Sequence, residues 1–557
     1  MKIFKGIAGA PGLVHAGVIR FEKKAKKSAS VGIDEAFRLA TGKVSVLKEK
    51  ALANLGEENA KIFEAYEMLL NDSMLRSPIE SAIADGTDEI AAVTEVCDKM
   101  AARLSASGNE YMRQRTDDIK YIGKILTEIL SGADGEFSFP NDGEKYILAA
   151  RELTPVDTMQ FDHSRLAGFI CELGGKASHT VILAKSLGIP AVVGAGKLSG
   201  AEGMGYLDGD EGVLIIAPDS ETESKYQKKL LDELSFKEKL DLLKKEEART
   251  ADSEKINICI NIGKPSDLDS LGDEHIDGIG LFRTEFLYSS MSKKPTVSEQ
   301  TDAYREVLNR VFPLPVTIRT IDIGGDKQLD YLGMKKEENP FLGCRGIRLC
   351  LANPDIFAQQ LEAIILAGAQ KSVKLMLPMI TSLDEITNTR AMIDEITKKI
   401  TAAGHDCCRD IHLGIMIETP ASAIMADMLA AHCDFFSIGT NDLVQYITAA
   451  DRGNTDVESV YNPYNPAVLK TLAQVIHAGK TAGIDVSVCG DLAADTGFTA
   501  LLLGMGLTTF SVPLPAVGRI KEKIKSISLS SAKKLIQKAL TCETADEVIN
   551  ILEDSYE

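Results

Sequence analysis

The spacing of hydrophobic positions changes several times along the chain, and each change predicts a different kind of element. Residues 3 to 20 (IFKGIAGAPGLVHAGVIR) predict a short strand, a Gly/Pro turn and a second strand. From about Asp34 to Leu130 the apolar residues recur at three and four, and Pro78 is the one proline. Ile62, Phe63, Tyr66, Leu69 and Leu70 show this spacing before a break at Asn71–Asp72, and Ile119, Ile122, Ile125 and Ile129 show it before Gly132. Strand-like sequence resumes at Tyr146 to Ala149, so the helices read as an insertion into an α/β unit that continues to residue 218. Residues 219 to 252 are densely charged with leucines at helical spacing, predicting a solvated helix that joins two units and serves as a hinge.

Beyond Lys255, strands and helices alternate. Strands are predicted at Ile256–Ile260, Gly278–Phe282, Val316–Ile321, Val373–Leu377, Leu413–Ile417, Asp434–Ile438, Asp485–Val488 and Thr509–Val512. Eight such strands with helical patterns between them predict a (β/α)8 barrel. A doubly wound sheet is the alternative, but neither a GxGxxG after the first strand nor a GxxxxGK[ST] loop is present. The uncharged stretch Thr496 to Gly518 is long enough for a membrane span. Its glycines, prolines and central threonines instead predict a helix, a turn and a short strand.

Composition narrows the class. At 557 residues, 45% apolar and 26% charged, the chain can bury several cores. A net charge of −19 argues against a nucleic-acid partner and suits a protein partner with a basic face. The start MKIFKGIAGAPG has no apolar core of signal-peptide length, so nothing points to export and a cytoplasmic location is expected. The ten cysteines show no paired CxxC spacing, and reduced thiols are the simpler expectation. Cys407 and Cys408 near His405 and His412 could form a metal cluster, although their order is wrong for the usual zinc spacings.

Two stretches carry candidate chemistry. In GGKASHTVILAKSLGIPAVVG (Gly174 to Gly194) two glycines open a loop, Ser178 is placed to cap a helix, and His179 falls at that helix's start. Unpaired N–H groups and the positive end of the dipole make this a place for a phosphoryl group on the ring. A capping or surface role would suffice for a lone histidine; the second stretch weighs against it. In barrels of this type the chemistry sits at the carboxyl ends of the strands. Those ends carry Arg283 in GLFRTEF, Arg319 and Asp322 in TIRTIDIGGDK, Arg345 in ENPFLGCRGIR and Glu418 in IMIETPAS, followed by Asn441, Asp442, Arg452 and finally Cys489. In isolation, FFSIGTNDLVQYITAADRGN could mean only a helix N-cap at Asp442 and a solvated arginine. Together, the arginines suit a small anion bearing phosphate and carboxylate. Glu418 and Asp442 suit a hard divalent ion such as Mg2+, and Cys489 is a candidate acid toward a substrate carbon.

These motifs, from GIAGAPG through GGKASHT, GIGLFRTEF, RTIDIGGDK, ENPFLGCR, IETPAS, IGTNDL, DRGN and CGDLA, resemble the phosphoenolpyruvate–protein phosphotransferases, enzyme I of the bacterial sugar phosphotransferase system, over nearly the whole chain. The resemblance implies a multidomain α/β protein. A swivelling phosphohistidine domain (1–22 and 145–220) would carry an inserted helical subdomain (23–144) that docks the histidine phosphocarrier HPr, around Phe63 to Asp72. A charged linker (221–253) would lead to a TIM barrel (254–557) that binds phosphoenolpyruvate and forms a homodimer. His179 would be phosphorylated, with Thr158, Ser178 and Lys327 in support. Arg283, Arg319, Arg345, Asn441 and Arg452 would bind phosphoenolpyruvate, Glu418 and Asp442 would hold Mg2+ or Mn2+, and Cys489 would protonate the enolpyruvate carbon. Ala177, Tyr66 and Asp491 depart from the family's usual Thr, His and Glu.

Three rivals are weaker. A phosphoenolpyruvate synthase or pyruvate phosphate dikinase needs a large ATP-binding region, and only about 145 residues precede the histidine unit. A non-catalytic regulator would lose metal ligands or arginines, none of which is missing, and a nitrogen-regulatory paralogue would carry an additional sensory domain ahead of this sequence.

Overall fold

The computed structural model describes residues 1–21, 31–55, 57–105, 110–132, 143–153, 157, 161, 164–175, 178–289, 293–324, 329, 331, 334 and 337–554. They form two compact units, Met1–Ser235 and Phe236–Glu557.

The first unit opens with β1 (Lys2–Lys5), β2 (Ile7–Ala10) and β3 (Leu13–Arg20), three strands where the sequence predicts two. The extra break falls at Gly6. β1 and β2 go to opposite edges of one eight-stranded sheet, β1 beside the strand Val213–Ile216 and β2 beside the strand Ala191–Val193. Edges holding residues this close in sequence must approach one another, so the sheet curls. β4 (Tyr146–Ala150), β5 (Leu166–Cys171) and β6 (Ala191–Val193) are buried along their whole length. The side chains of β4 alternate between two cores: Tyr146, Leu148 and Ala150 face one, Ile147 and Ala149 the other. β7 (Gly203–Asp208) and β8 (Val213–Ile216) complete the sheet as a hairpin.

Five helices among the described residues lie between β3 and β4: α1 (Ile33–Leu55), α2 (Glu57–Asn71), α3 (Ser73–Ala84), α4 (Glu89–Ser105) and α5 (Glu110–Leu130). Their core follows the predicted spacing, with Ala36, Phe37, Ala40, Val44 and Leu47 on α1 and Ile119, Ile122, Ile125, Leu126 and Ile129 on α5. The expected break at Asn71–Asp72 is present, and the Asp72 side chain caps α3 by accepting from the Met74 N–H. Phe63 and Tyr66 are buried and in edge contact, and Leu70 is buried with them, so the outward surface here is carried by Met68 and Met74.

The charged helix α7 (Ser220–Lys244) is less solvated than its composition suggests. Within the first unit Tyr226 is buried, Lys229 pairs with the fully buried Asp208, and Glu233 accepts from the Leu13 N–H at 3.2 Å. Within the second unit Leu243 is buried, and the buried Lys521 ammonium donates to the carbonyls of Lys244, Glu246 and His275.

The second unit is the predicted barrel. β10 (Lys255–Ile262), β11 (Gly278–Arg283), β12 (Val316–Arg319), β13 (Ser372–Leu377), β14 (Asp410–Ile417), β15 (Phe435–Ile438), β16 (Asp485–Val488) and β17 (Thr509–Pro513) pair in parallel in this order. β10 also pairs with both β17 and β11, which closes the ring, and β9 (Ala248–Arg249) adds one antiparallel strand outside it. Each strand lies at its expected place, with ends shifted by a few residues. Inside, Leu281, Met376, Met416, Phe435 and Cys489 form a separate apolar plug. The Thr496–Gly518 stretch forms the helix Thr499–Met505, a turn and β17. Among the described residues no helix is long and apolar enough to cross a membrane.

Candidate active site

The barrel's strand ends bring eight of the predicted residues to one cavity of about 300 Å³: Arg283, Arg319, Arg345, Glu418, Asn441, Asp442, Arg452 and Cys489. Arg283 and Arg319 end neighbouring strands in matched register. Glu418 follows β14, Asn441 and Asp442 open the helix Thr440–Thr448 after β15, and Cys489 follows β16. Arg345 and Arg452 come from loops, the latter held where its backbone N–H donates to Gln445 Oε1 at 3.1 Å.

Charges of both signs are interlocked. Arg319 donates to Glu285 Oε1 at 2.9 Å and lies 3.1 Å from Asp322 Oδ2. Arg345 Nη2 meets Asp322 Oδ2 at 3.0 Å, while its Nη1 meets Asp442 Oδ1 at 3.0 Å. Arg452 approaches the other oxygen of Asp442 at 3.8 Å. Burial opposes charge on Arg319 and Arg345, but the carboxylates beside them win and hold both guanidiniums firmly protonated. Asp322 is likewise kept below the usual carboxylate range: burial acts to raise it, and Arg319 and Arg345 outweigh burial.

Glu418 is the exception. Burial pushes its carboxyl up to about 8, Asp322 and Asp442 push the same way, and Arg319 and Arg345 oppose them. Its Oε1 accepts from the Met379 N–H at 2.6 Å, and Met379 holds a left-handed φ of 59° to present that donor. Its Oε2 is buried with no hydrogen-bond partner among the described residues, as is Arg319 Nε in the same cavity. A side chain at Gly439 would place its Cβ 2.8 Å from Glu418 Oε2, so only glycine leaves that oxygen free. An unpartnered buried carboxylate oxygen beside a second carboxylate fits a divalent cation. Gly324, at φ 132°, lets the loop after Asp322 pass against Arg345, where a Cβ would approach the arginine's own Cβ at 2.3 Å.

Burial raises the Cys489 thiol, so it keeps its proton at neutral pH. Asn441 lines the same cavity, and its Oδ1 accepts from the Asp491 N–H at 2.8 Å. All ten cysteines are free thiols, and among the described residues no group of three or more His, Cys, Asp or Glu is arranged as a metal cluster, Cys407 and Cys408 included.

In the first unit, His179 opens the helix α6 (His179–Leu187) as predicted, and Gly188 ends it in the left-handed conformation. Ser178 occupies the N-cap position with extended backbone but makes no side-chain cap bond; its hydroxyl is buried without a partner among the described residues. The expected capping by this residue is therefore corrected. The His179 side chain, Thr158, Ala177 and Lys327 lie outside the described residues. Sequence reasoning missed Glu285 and Met379. A carboxylate two residues beyond Arg283 at a strand end was the available signal for the first; nothing in the sequence announces the φ of the second.

Comparison with known proteins agrees with this geometry. Three family profiles match in succession: PEP-utilising enzyme, N-terminal (residues 4–115), its mobile domain (142–212) and its PEP-binding domain (237–529). The phosphoenolpyruvate-protein phosphotransferase of Listeria monocytogenes is 38% identical over 99% of both chains. That of Bacillus subtilis is 37% identical over 100% of both, and that of Staphylococcus aureus 36% identical over 99% of both. The chain belongs to the phosphoenolpyruvate-protein phosphotransferase family and is an enzyme of that class.

Proposed function

We propose that this member of the phosphoenolpyruvate-protein phosphotransferases moves the phosphoryl group of phosphoenolpyruvate to its own His179. From there it would pass to the histidine phosphocarrier HPr, with release of pyruvate, as the first step of sugar uptake by the phosphotransferase system. The observation that carries this reading is the single cavity in which four arginines, an unpartnered buried Glu418 oxygen, Asp442 and the Cys489 thiol meet.

Arg283, Arg319, Arg345, Arg452 and the amide of Asn441 bind the phosphate and carboxylate of the substrate and fix its orientation. Glu418 and Asp442 are the residues that would hold Mg2+ or, by the same oxygen chemistry, Mn2+. Such an ion supplies positive charge to the substrate's oxygens. A neutral imidazole of His179 attacks phosphorus; the N–P bond forms as the bond to the enol oxygen breaks, and the electron pair stays on enolpyruvate. Cys489 Sγ then gives its proton to the enolpyruvate carbon, and the thiolate recovers a proton from solvent. A phosphoryl group at the amino end of α6 would meet the positive end of the helix dipole.

The partner assignments follow the same reading. Residues 1–22 with 145–220 form the phosphohistidine domain, 23–144 the HPr-binding insert, 221–253 the linker and 254–557 the barrel. On the insert, the exposed Met68 and Met74 supply the apolar contact for HPr. On the barrel, Ile424 and Met428 are large exposed apolar side chains that suit a homodimer interface. A cytoplasmic site of action goes with the reading. Transfer of label from the phosphorylated enzyme to HPr tests the onward step; retention of label on the enzyme in the presence of folded HPr would sink it.

A further inference from the structure

The arginines and carboxylates at the barrel mouth are held from behind by a buried polar side chain that belongs to none of the strands. Gln360 lies on helix α9 (Pro354–Ala367) and is fully buried. Its Oε1 accepts from the Ile321 N–H at 3.0 Å. Its Nε2 donates to Thr284 Oγ1 at 3.0 Å and to the Tyr304 hydroxyl at 3.2 Å, the latter on helix α8 (Val297–Val311).

The bonds run in one direction. Thr284 Oγ1 in turn donates to the Arg319 carbonyl at 2.9 Å, and the Tyr304 hydroxyl donates to Gln300 Oε1 at 3.2 Å. The single Gln360 amide therefore grips both sides of Thr320: the Arg319 carbonyl through Thr284, and the Ile321 N–H directly. Thr284 itself follows Arg283 and precedes Glu285, whose carboxylate accepts from both Arg319 Nη2 and the Asp322 N–H at 2.9 Å. The clamp thus sets the distance between the ends of β11 and β12, the place from which Arg283, Glu285, Arg319 and Asp322 all project. A buried amide with every donor and acceptor satisfied costs little to keep and much to break.

We propose that Gln360, acting through Thr284, is a positioning residue for phosphoenolpyruvate: it touches no substrate and holds the backbone that aims Arg319. The inference rests on the substrate reading given above. Because Arg319 contacts substrate in both ground and transition states, its misplacement raises KM more than it lowers kcat.

The test uses the full chain with Mg2+ and phosphoenolpyruvate, comparing Gln360→Met, Thr284→Val, Thr284→Ser and Arg319→Gln, with thermal melts as the folding control. Gln360→Met and Thr284→Val should each raise KM for phosphoenolpyruvate about tenfold or more with kcat changed less than about threefold, whereas Thr284→Ser, which keeps the hydroxyl, should stay within about threefold on both. Hydrogen exchange in the segment 316–324 should accelerate in Gln360→Met. In an Arg319→Gln background, adding Gln360→Met should cost less than about threefold further, since both act on one contact.

Equal behaviour of Thr284→Val and Thr284→Ser would overturn the clamp, as would an undiminished Gln360→Met effect without Arg319. Should Thr284→Val fail to fold, the Gln360→Met exchange and KM measurements decide alone. A silent Gln360→Met beside a damaging Arg319→Gln defeats the clamp and leaves the substrate reading standing. A silent Arg319→Gln defeats both.

Discussion

Replacing Asp322 by asparagine keeps the shape of the barrel mouth and removes the charge that holds two buried guanidiniums together. Asp322 Oδ2 lies 3.1 Å from Arg319 Nη1 and 3.0 Å from Arg345 Nη2, and the side chain is only 4% exposed. Breaking a buried pair from one side costs roughly 3–5 kcal/mol, because the remaining charge stays buried without its partner. Here each guanidinium keeps a second carboxylate, Glu285 for Arg319 and Asp442 for Arg345, and asparagine retains one acceptor oxygen, so the lower end, about 3 kcal/mol, is expected. At about 2.1 cal/mol/K per residue, that corresponds to a fall of roughly 4–5 °C in the melting transition of the unit Phe236–Glu557. Scanning calorimetry of the full chain reads it, with the first unit's transition as internal control. The pH dependence adds a sign. The Arg319 and Arg345 charges overcome burial and depress the folded pKa of Asp322. Its contribution is therefore complete above the ordinary aspartate value of about 3.9 and lost as pH falls through the lower folded value. The gap between wild type and Asp322→Asn should stay constant from neutral pH down to that range and close below it. Saturating phosphoenolpyruvate should raise the variant's melting temperature, since the substrate brings the missing negative charge. A shift under about 2 °C, or a gap that closes instead as pH rises, would refute the reasoning.

The remaining predictions are shorter. Gly439→Ala has ordinary backbone angles, so the fold should survive; its methyl, 2.8 Å from Glu418 Oε2, should weaken Mn2+ binding measured by titration calorimetry, and unchanged affinity would count against that oxygen as a ligand. Cys489→Ala should bind phosphoenolpyruvate normally while pyruvate release slows by about 10²–10⁴, read in a coupled assay, and a normal rate would remove the thiol from the mechanism. Lys521→Met should destabilise the barrel by about 3 kcal/mol or more in denaturant titration, because three backbone carbonyls lose their donor. A stable variant would show those carbonyls are otherwise satisfied.

The sequence showed the barrel because its strands are short apolar runs bounded by turn residues, a pattern that buried parallel strands need. The eight mouth residues were legible for the same reason: each sits just past such a run or in the loop that follows. What stayed hidden is relational. The break at Gly6, which sends β1 and β2 to opposite edges, depends on pairings made about 180 to 215 residues away. The spacing of Phe63 and Tyr66 marked them as apolar positions of one helix, but what covers them, Tyr121 and its neighbours on α5, is settled only by packing. Lys229 belongs to a charge run by composition, but it answers the buried charge of Asp208. Met379 and Gln360 matter through partners on other strands and helices, and no local pattern marks them.

The central claim is that His179 carries the phosphoryl group in transit. Wild-type protein and His179→Ala should be incubated with Mg2+ and phosphoenolpyruvate labelled in the phosphoryl group, then separated and exposed to acid. Acid-labile label on the wild type alone is the predicted result. Equal label on both proteins, or none on a folded, metal-loaded wild type, would contradict it.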